Sequence, residues 1–333
     1  MKKIITAVLI ISLLTLSIIA FTACTKTDDD VIRLNEVTHS VFYAPLYVAL
    51  NKGYFEEYGI KIELTNGGGA DKSMTAVISG QADVGLMGPE AAVYVKTGGS
   101  NNYPVVFGQL TKCDGAFLIG RKAEPDFKWS DLKGKEIIGG RKGGMPAMSL
   151  EHALNKNNLV VGEDLNLNYD VQFDLITAAF EGGTGDYCTM FEPNASQYEA
   201  LGKGYIVASV GKEAGDIPYT CFMATKEYIA ANPEKITGFM KAVIKGIDFV
   251  INGNPDEIAE ALKPSFPTTD DALLKKSVES YKAINAYMTD PVMTKESFEH
   301  MLDILEESGS ITQRIAFSDI IDNSIAEKIL AEK

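Results

Sequence analysis

Three histidines, four cysteines and one tryptophan are all that 333 residues supply. No grouping of His, Cys, Asp and Glu has metal-ligand spacing, so a coordinated metal is not expected. Cys24, Cys113, Cys188 and Cys221 form no CxxC pair. The last three lie in apolar or strand-like contexts, where a buried thiol is the default, and a Cys113–Cys221 bridge stays open. Positive charge is also scarce, with 31 Lys and Arg against 45 Asp and Glu and a net charge of −14. Without a basic stripe, such a chain repels nucleic acid. The phosphate-binding loop of nucleotide hydrolases is missing too. Gly139 and Gly144 have its spacing, but Met145-Pro146 follow where a Lys and a hydroxyl residue are needed. No repeat at solenoid spacing is present.

What is present begins with a leader. Lys2 and Lys3 precede an apolar run, Ile4 to Ala20, and Phe21-Thr22-Ala23 bring small residues up to Cys24. This reads as a secretory signal over residues 1–23 that ends at a lipobox-like site, with Cys24 as the lipidated residue. An uncleaved anchor is the alternative, but the apolar run is near the lower limit for a spanning helix. Residues 24–30 then form a polar tether that holds the folded part off a membrane surface. Loss of Lys2 and Lys3 with the leader makes the remainder more acidic still.

A hydrophobic content of 46% over this length fits two α/β lobes. Val31 to Val37 reads as a strand that ends in Thr38-His39-Ser40. Pro45 suits the first turn of the next helix, whose Leu46, Ala49, Leu50 and Gly53 share a face. Strands are expected at Ile60 to Thr65, Ala82 to Met87 and Val105 to Leu110. Asp71 is expected to cap the helix carrying Met74, Val77 and Ile78, and Pro89 to stand in the first turn of another. The pattern repeats with strands at Glu136 to Ile138, Tyr187 to Phe191 and Tyr205 to Val210, and with helices after Gly139–Gly144, Asp174 and Glu192-Pro193. Pro218 to Ala224 returns to the first lobe, and the remainder is mostly helical. The expected divisions are 31–115, 116–218 and 219–333.

The run APLYVALNKGYFEEYGIKIEL resembles the N-terminal signature of solute-binding proteins of ABC importers, in the branch for nitrate, sulfonates, taurine and thiamine-pyrimidine precursors. GQADVGLMGPEA and DLKGKEIIGG extend the resemblance, which reaches to about Asn254. It implies a periplasmic-binding-protein-like (type II) clamshell of two α/β lobes, hinged on two crossing strands near Thr111 to Leu118 and Pro218 to Ala224. Few other connections are expected to join the lobes. It also implies an extracytoplasmic, lipid-anchored monomer that closes on a small molecule and delivers it to ABC permease subunits. No catalytic residue or cofactor is expected. A pyrimidine-forming synthase shares the fold but carries a clustered cysteine motif that this chain lacks, and a ligand sensor is a third reading.

The ligand-binding candidates follow strand ends. They are Thr38, His39, Ser40 and Tyr43 in the first loop, Gly69 and Asp71 in the second, and Gly88 and Glu90 in the third. Asp114 lies in the polar link Thr111 to Gly115, and Arg141, Lys142 and Gly143 in a glycine-rich loop; Glu192 and Tyr219 complete the set. His39 stands evenly between ligand contact and structural residue, whereas His152 and His300, on helices, read as structural. For Glu90 the routine reading is a partner for a helix dipole; for Glu192 the resemblance implies a place on the cleft wall. Among Phe42, Tyr43, Tyr187, Phe191 and Tyr219, the hydroxyls of Tyr43 and Tyr219 make them the expected cover for a planar ligand. An anion about 4 Å from an ionised Glu192 would be repelled by roughly 4 kcal/mol at an effective dielectric near 20. A helix N-terminus returns only about 0.3–1 kcal/mol. This favours an aminopyrimidine of the thiamine-precursor type over nitrate, taurine or a sulfonate, unless Arg141 and Lys142 reach the cleft and reverse the sign.

Overall fold

The computed structural model describes residues 30–332, so the leader, Cys24 and the tether up to residue 29 lie outside the described residues. The body is the compact unit Ile32–Lys333. The chain first lays down β1 (Val31–Glu36), helix α1 (Ala44–Asn51), β2 (Lys61–Asn66), α2 (Ala70–Ile78), β3 (Val84–Met87), α3 (Glu90–Thr97) and β4 (Val105–Thr111). It then builds β5 (Phe117–Gly120), β6 (Glu136–Ile138), α4 (Met145–Lys156), β7 (Asn166–Asn168), α5 (Ile176–Glu181), β8 (Tyr187–Met190), α6 (Asn194–Ala200), β9 (Tyr205–Ser209) and α7 (Val210–Ala214) before β10 (Thr220–Ala224).

Two five-stranded sheets result, in the orders β2-β1-β3-β10-β4 and β7-β6-β8-β5-β9. In the first, β1 and β3 are parallel and β10 runs against both its neighbours. In the second, β6 is parallel to β7 and β8, while β5 runs against β8 and β9. The antiparallel strand of each sheet, fourth in order, is the first strand the chain makes after crossing from the other sheet. The parallel strands need helical crossovers, and the central ones, β3 and β8, are buried along their whole length.

The crossings, residues 112–116 and 215–219, run side by side. The Ile217 N–H donates to the Lys112 carbonyl at 2.9 Å and the Tyr219 N–H to the Thr111 carbonyl at 3.2 Å. They are joined by more than was expected. Ser40 Oγ donates to the Glu192 carbonyl at 2.7 Å, and the Glu192 N–H to the Tyr281 hydroxyl at 2.8 Å. Glu307 holds both His152 and Asn155 of α4 at 2.7 Å. The cause is the C-terminal helical layer, which covers the first sheet and overhangs onto the second.

That layer comprises α8 (Lys226–Ala231), α9 (Pro233–Asn252), α10 (Pro255–Leu262), α11 (Asp271–Ala283), α12 (Lys295–Glu307), α13 (Phe317–Ile320) and α14 (Ser324–Ala331). Asn254, Asp270 and Thr294 cap α10, α11 and α12 through side-chain oxygens. In α9, Ile236, Phe239, Met240, Val243, Ile244, Ile247 and Val250 form a continuous buried stripe. Gly246 lets α9 lie against α1, since a Cβ there would overlap the Pro45 carbonyl. Covered in this way, α1 is buried all round from Ala44 to Ala49, and it ends at Asn51. The expected single face through Leu50 and Gly53 is therefore wrong; Gly53 lies past the helix at φ 72°. Two helix starts also differ. Gly69, not Asp71, is the N-cap of α2, and Pro89 is the N-cap of α3 rather than a first-turn residue. Cys113, Cys188 and Cys221 are all buried free thiols.

Candidate ligand site

The loops after β1, β2, β3, β6 and β8 meet at the carboxyl ends of the parallel strands of both sheets. There they enclose a cavity of about 410 Å³, within the usual range for small-molecule pockets. Val37, Met74, Ala91, Val95, Met145 and Pro146 supply apolar wall, and Tyr43, Tyr94, Phe173, Phe191 and Tyr219 supply rings. The first sheet's side contributes Thr38, Gly69, Asp71, Gly88 and Glu90; the second sheet's side contributes Arg141, Lys142 and Gly143. Contacts bridge the two sides. Arg141 pairs with Asp71 at 3.0 Å, both about half exposed, and the Tyr94 hydroxyl donates to the Gly143 carbonyl at 2.9 Å. Lys142 reaches towards the Tyr169 ring, 5.9 Å from its centre.

Four of the sequence-predicted residues point elsewhere. His39 is held from both ring nitrogens, Nδ1 to Glu36 and Nε2 to the Ser265 carbonyl, each at 2.9 Å. Its ring packs between Tyr47 and Phe266. The bond to Glu36 raises its pKa against the opposing effect of burial. Ser40 caps the short turn over Val41–Tyr43, accepting from the Phe42 N–H. Asp114 is fully buried beside the crossings, where it accepts from the Ser149 hydroxyl and, at 2.6 Å, from the Ala116 N–H. Burial pushes it up to about 7 against those bonds. Glu192 is 1% exposed, and both of its oxygens are engaged by Ser196: the N–H at 3.0 Å and the hydroxyl at 2.7 Å. It caps α6 instead of lining the cavity.

Of the two carboxyls that line the cavity, Asp71 and Glu90, Glu90 is the buried one. It is 3% exposed, and its Oε2 is buried without a hydrogen-bond partner. Burial pushes it up to about 7, opposed only by the backbone N–H groups of Glu90 and Met145. Tyr219 also lines the cavity, and its buried hydroxyl lies next to Asp114. Burial, and then the charge of Asp114, hold that phenol well above its usual range. Of the expected aromatics, Phe42 stacks behind the cavity on Tyr219 and Phe191, and Tyr187 turns its hydroxyl to Glu124. Tyr94 and Phe173 were not anticipated. Tyr94 lies four residues beyond Glu90 on one helix face, a spacing the sequence did carry.

Two mixed sheets joined by paired crossings, with a cavity where their loops meet, define the periplasmic-binding-protein fold. Residues 41–258 match the family described as NMT1/THI5 like, and the chain belongs to it. It is 40% identical over 302 residues to the Bacillus subtilis (strain 168) protein named "Putative binding protein YtlA", covering 91% of this chain and 90% of that one. It is 27% identical over 226 residues to a 4-amino-5-hydroxymethyl-2-methylpyrimidine phosphate synthase of Aspergillus parasiticus, a match spanning 63% of each chain. The alkanesulfonate-binding protein SsuA of Xanthomonas axonopodis pv. citri, solved bound to MOPS, has the same fold. Its TM-score is 0.71 at 16% identity, over 88% of this chain and 98% of that one.

Proposed function

We propose that this chain is the extracytoplasmic solute-binding component of an ABC importer, tethered through Cys24. In this reading it captures a small planar nitrogen heterocycle of the aminopyrimidine type. The carrying observation is the cavity itself, built from both sheets at the ends of their parallel strands and bridged at its rim by Asp71–Arg141 and Tyr94–Gly143. Such a site needs only a change in the angle between residues 31–115 with 219–333 and residues 116–218 to admit a ligand, with the two crossings as hinge. The kinship with a named binding protein over nine-tenths of both chains supports capture in preference to catalysis. The described cysteines support the same preference, being separate and buried instead of clustered at the cavity.

Rings and sign favour the heterocycle. Five aromatic side chains offer flat surfaces, and Glu90 offers a carboxyl oxygen without a partner. Arg141 and Lys142, which also line the cavity, favour a second reading, a sulfonate, taurine or nitrate. Against it, Arg141 is already neutralised by Asp71. Calorimetry with 4-aminopyrimidine, taurine, an aromatic sulfonate and nitrate separates the two. Binding of the aminopyrimidine, with a smaller radius of gyration in solution scattering, is expected; a response to taurine or nitrate alone would establish the second reading. Metabolic labelling with a fatty-acid analogue is expected to mark the wild type and not Cys24→Ala.

A further inference from the structure

Glu90 does more than lend polarity to the floor. Its carboxyl is folded back over Gly88, where a Cβ would overlap both oxygens and the carboxyl carbon. Gly88 does not have the positive φ that favours glycine. A side chain at Gly88 would therefore have to displace the carboxyl. The groups that act on Glu90 or are acted on by it are the phenols of Tyr43, Tyr94 and Tyr219, the Cys221 thiol and the Met145 N–H. None of these is a cation. The charged groups of the same cavity, Asp71, Arg141 and Lys142, stand on α2 and in the glycine-rich loop, where Asp71 and Arg141 pair with each other.

We propose that Glu90, seated over Gly88, is the specificity residue of this cavity and reads the N–C–NH2 edge of the ligand as a carboxyl pair that holds one proton. The inference rests on the ligand class proposed above. The amino N–H donates to one carboxyl oxygen. The other oxygen and the adjacent ring nitrogen share the single proton, as O–H···N or, after transfer, as O⁻···H–N⁺. Neither form changes the net charge of the pair, so no buried charge is left uncompensated. Burial holds the free carboxyl protonated up to about pH 7, so above that the protein takes up one proton on binding. The phenols and the thiol, all raised by burial, stay protonated over the same interval.

The test is calorimetry of the full folded chain with 4-aminopyrimidine and with 4-methylpyrimidine, which lacks the amino donor, between pH 6.5 and 9. Wild type is expected to prefer the amino compound. Its affinity should fall by about tenfold per pH unit above about 7.5, the slope for one proton. Glu90→Gln keeps a donor and an acceptor on the same edge, so it should bind with an affinity that no longer depends on pH. Glu90→Leu should lose about tenfold or more at pH 6.5, and Gly88→Ala should weaken binding by displacing the carboxyl. If 4-aminopyrimidine binds but wild type and Glu90→Gln share one pH profile, or if the two pyrimidines bind alike, the role of Glu90 is refuted and the ligand class stands. If neither pyrimidine binds while taurine or a sulfonate does, the ligand class itself is overturned.

Discussion

Glu90 and Glu192 stand at matching places in the two halves of the molecule. Each follows the central strand of its five-stranded sheet, β3 or β8, and each adjoins a proline at the start of a helix. Both are buried to within a few per cent. Their carboxyls nevertheless do different things. Four residues beyond Glu192 is Ser196, whose N–H and hydroxyl take both oxygens and turn the side chain into a helix cap. Four residues beyond Glu90 is Tyr94, whose hydroxyl is already committed to the Gly143 carbonyl across the cavity. One carboxyl is satisfied by its own helix, and the other, on a residue lining the cavity, is left with an unpaired oxygen. A buried polar group without a partner is costly, and each such group calls for an explanation.

The comparison can be broken first by pH. Glu90 and Asp114 are both raised by burial to about 7, so the folded chain holds protons that the unfolded chain releases. Stability contributed by the neutral forms is therefore lost as pH rises from about 4 to about 7. His39, raised above its ordinary value by Glu36, contributes stability that is full below 6.5 and lost as pH climbs through its folded pKa. All three act in one direction. The ligand-free protein should be more stable at pH 5 than at pH 8 by an amount on the order of several kcal/mol. Glu90→Gln should remove part of that slope, as read by denaturant unfolding at both pH values. A profile that is flat, or rises with pH, would contradict the burial assigned to these groups.

The second contrast is between stability and affinity. Glu192→Ala strips α6 of its cap and leaves Ser196 without its acceptor, which should cost about 1.5–3 kcal/mol. It should leave ligand affinity within about twofold, since no ligand bond is lost. Glu90→Leu should do the reverse, with affinity lost and stability at pH 8 unchanged or raised. Unfolding curves and calorimetry on both variants decide; equal effects on affinity would make the two carboxyls equivalent after all. The smallest effect belongs to the rim. Asp71→Asn breaks a half-exposed pair and should cost no more than about 1 kcal/mol, visible mainly as a faster ligand off-rate at low salt than at high salt.

Much of this was legible in the chain. The alternation of strands with helices, the helix starts at Pro45 and Pro146, and the glycine loops after strand ends are local features set by backbone chemistry. The structure brings most of those loops to one cavity, Thr38, Gly69, Gly88 and Arg141 to Gly143 among them. His39 read evenly because its partners are remote: Ser265 is 226 residues away, and no local pattern announces it. Asp114 looked like a loop acid open to ligand, yet the side-by-side crossings and Ser149 close over it.

By itself, then, the sequence determined the acidic, histidine- and cysteine-poor character of the chain, its two-part α/β organisation and which segments could carry polar loops. These follow from composition, periodicity and turn chemistry, each of which acts over a few residues. Which carboxyl faces the ligand was decided only by the tertiary structure. Glu90 and Glu192 differ locally in the residue four positions on, but only the fold turns Ser196 back onto its carboxyl and sends the Tyr94 hydroxyl to the Gly143 carbonyl on the other side of the cavity. The all-round burial of α1 was decided there too, because only the approach of α9 at Gly246 covers its outer face. Burial and desolvation depend on the whole surrounding shell, and that shell is assembled from segments hundreds of residues apart.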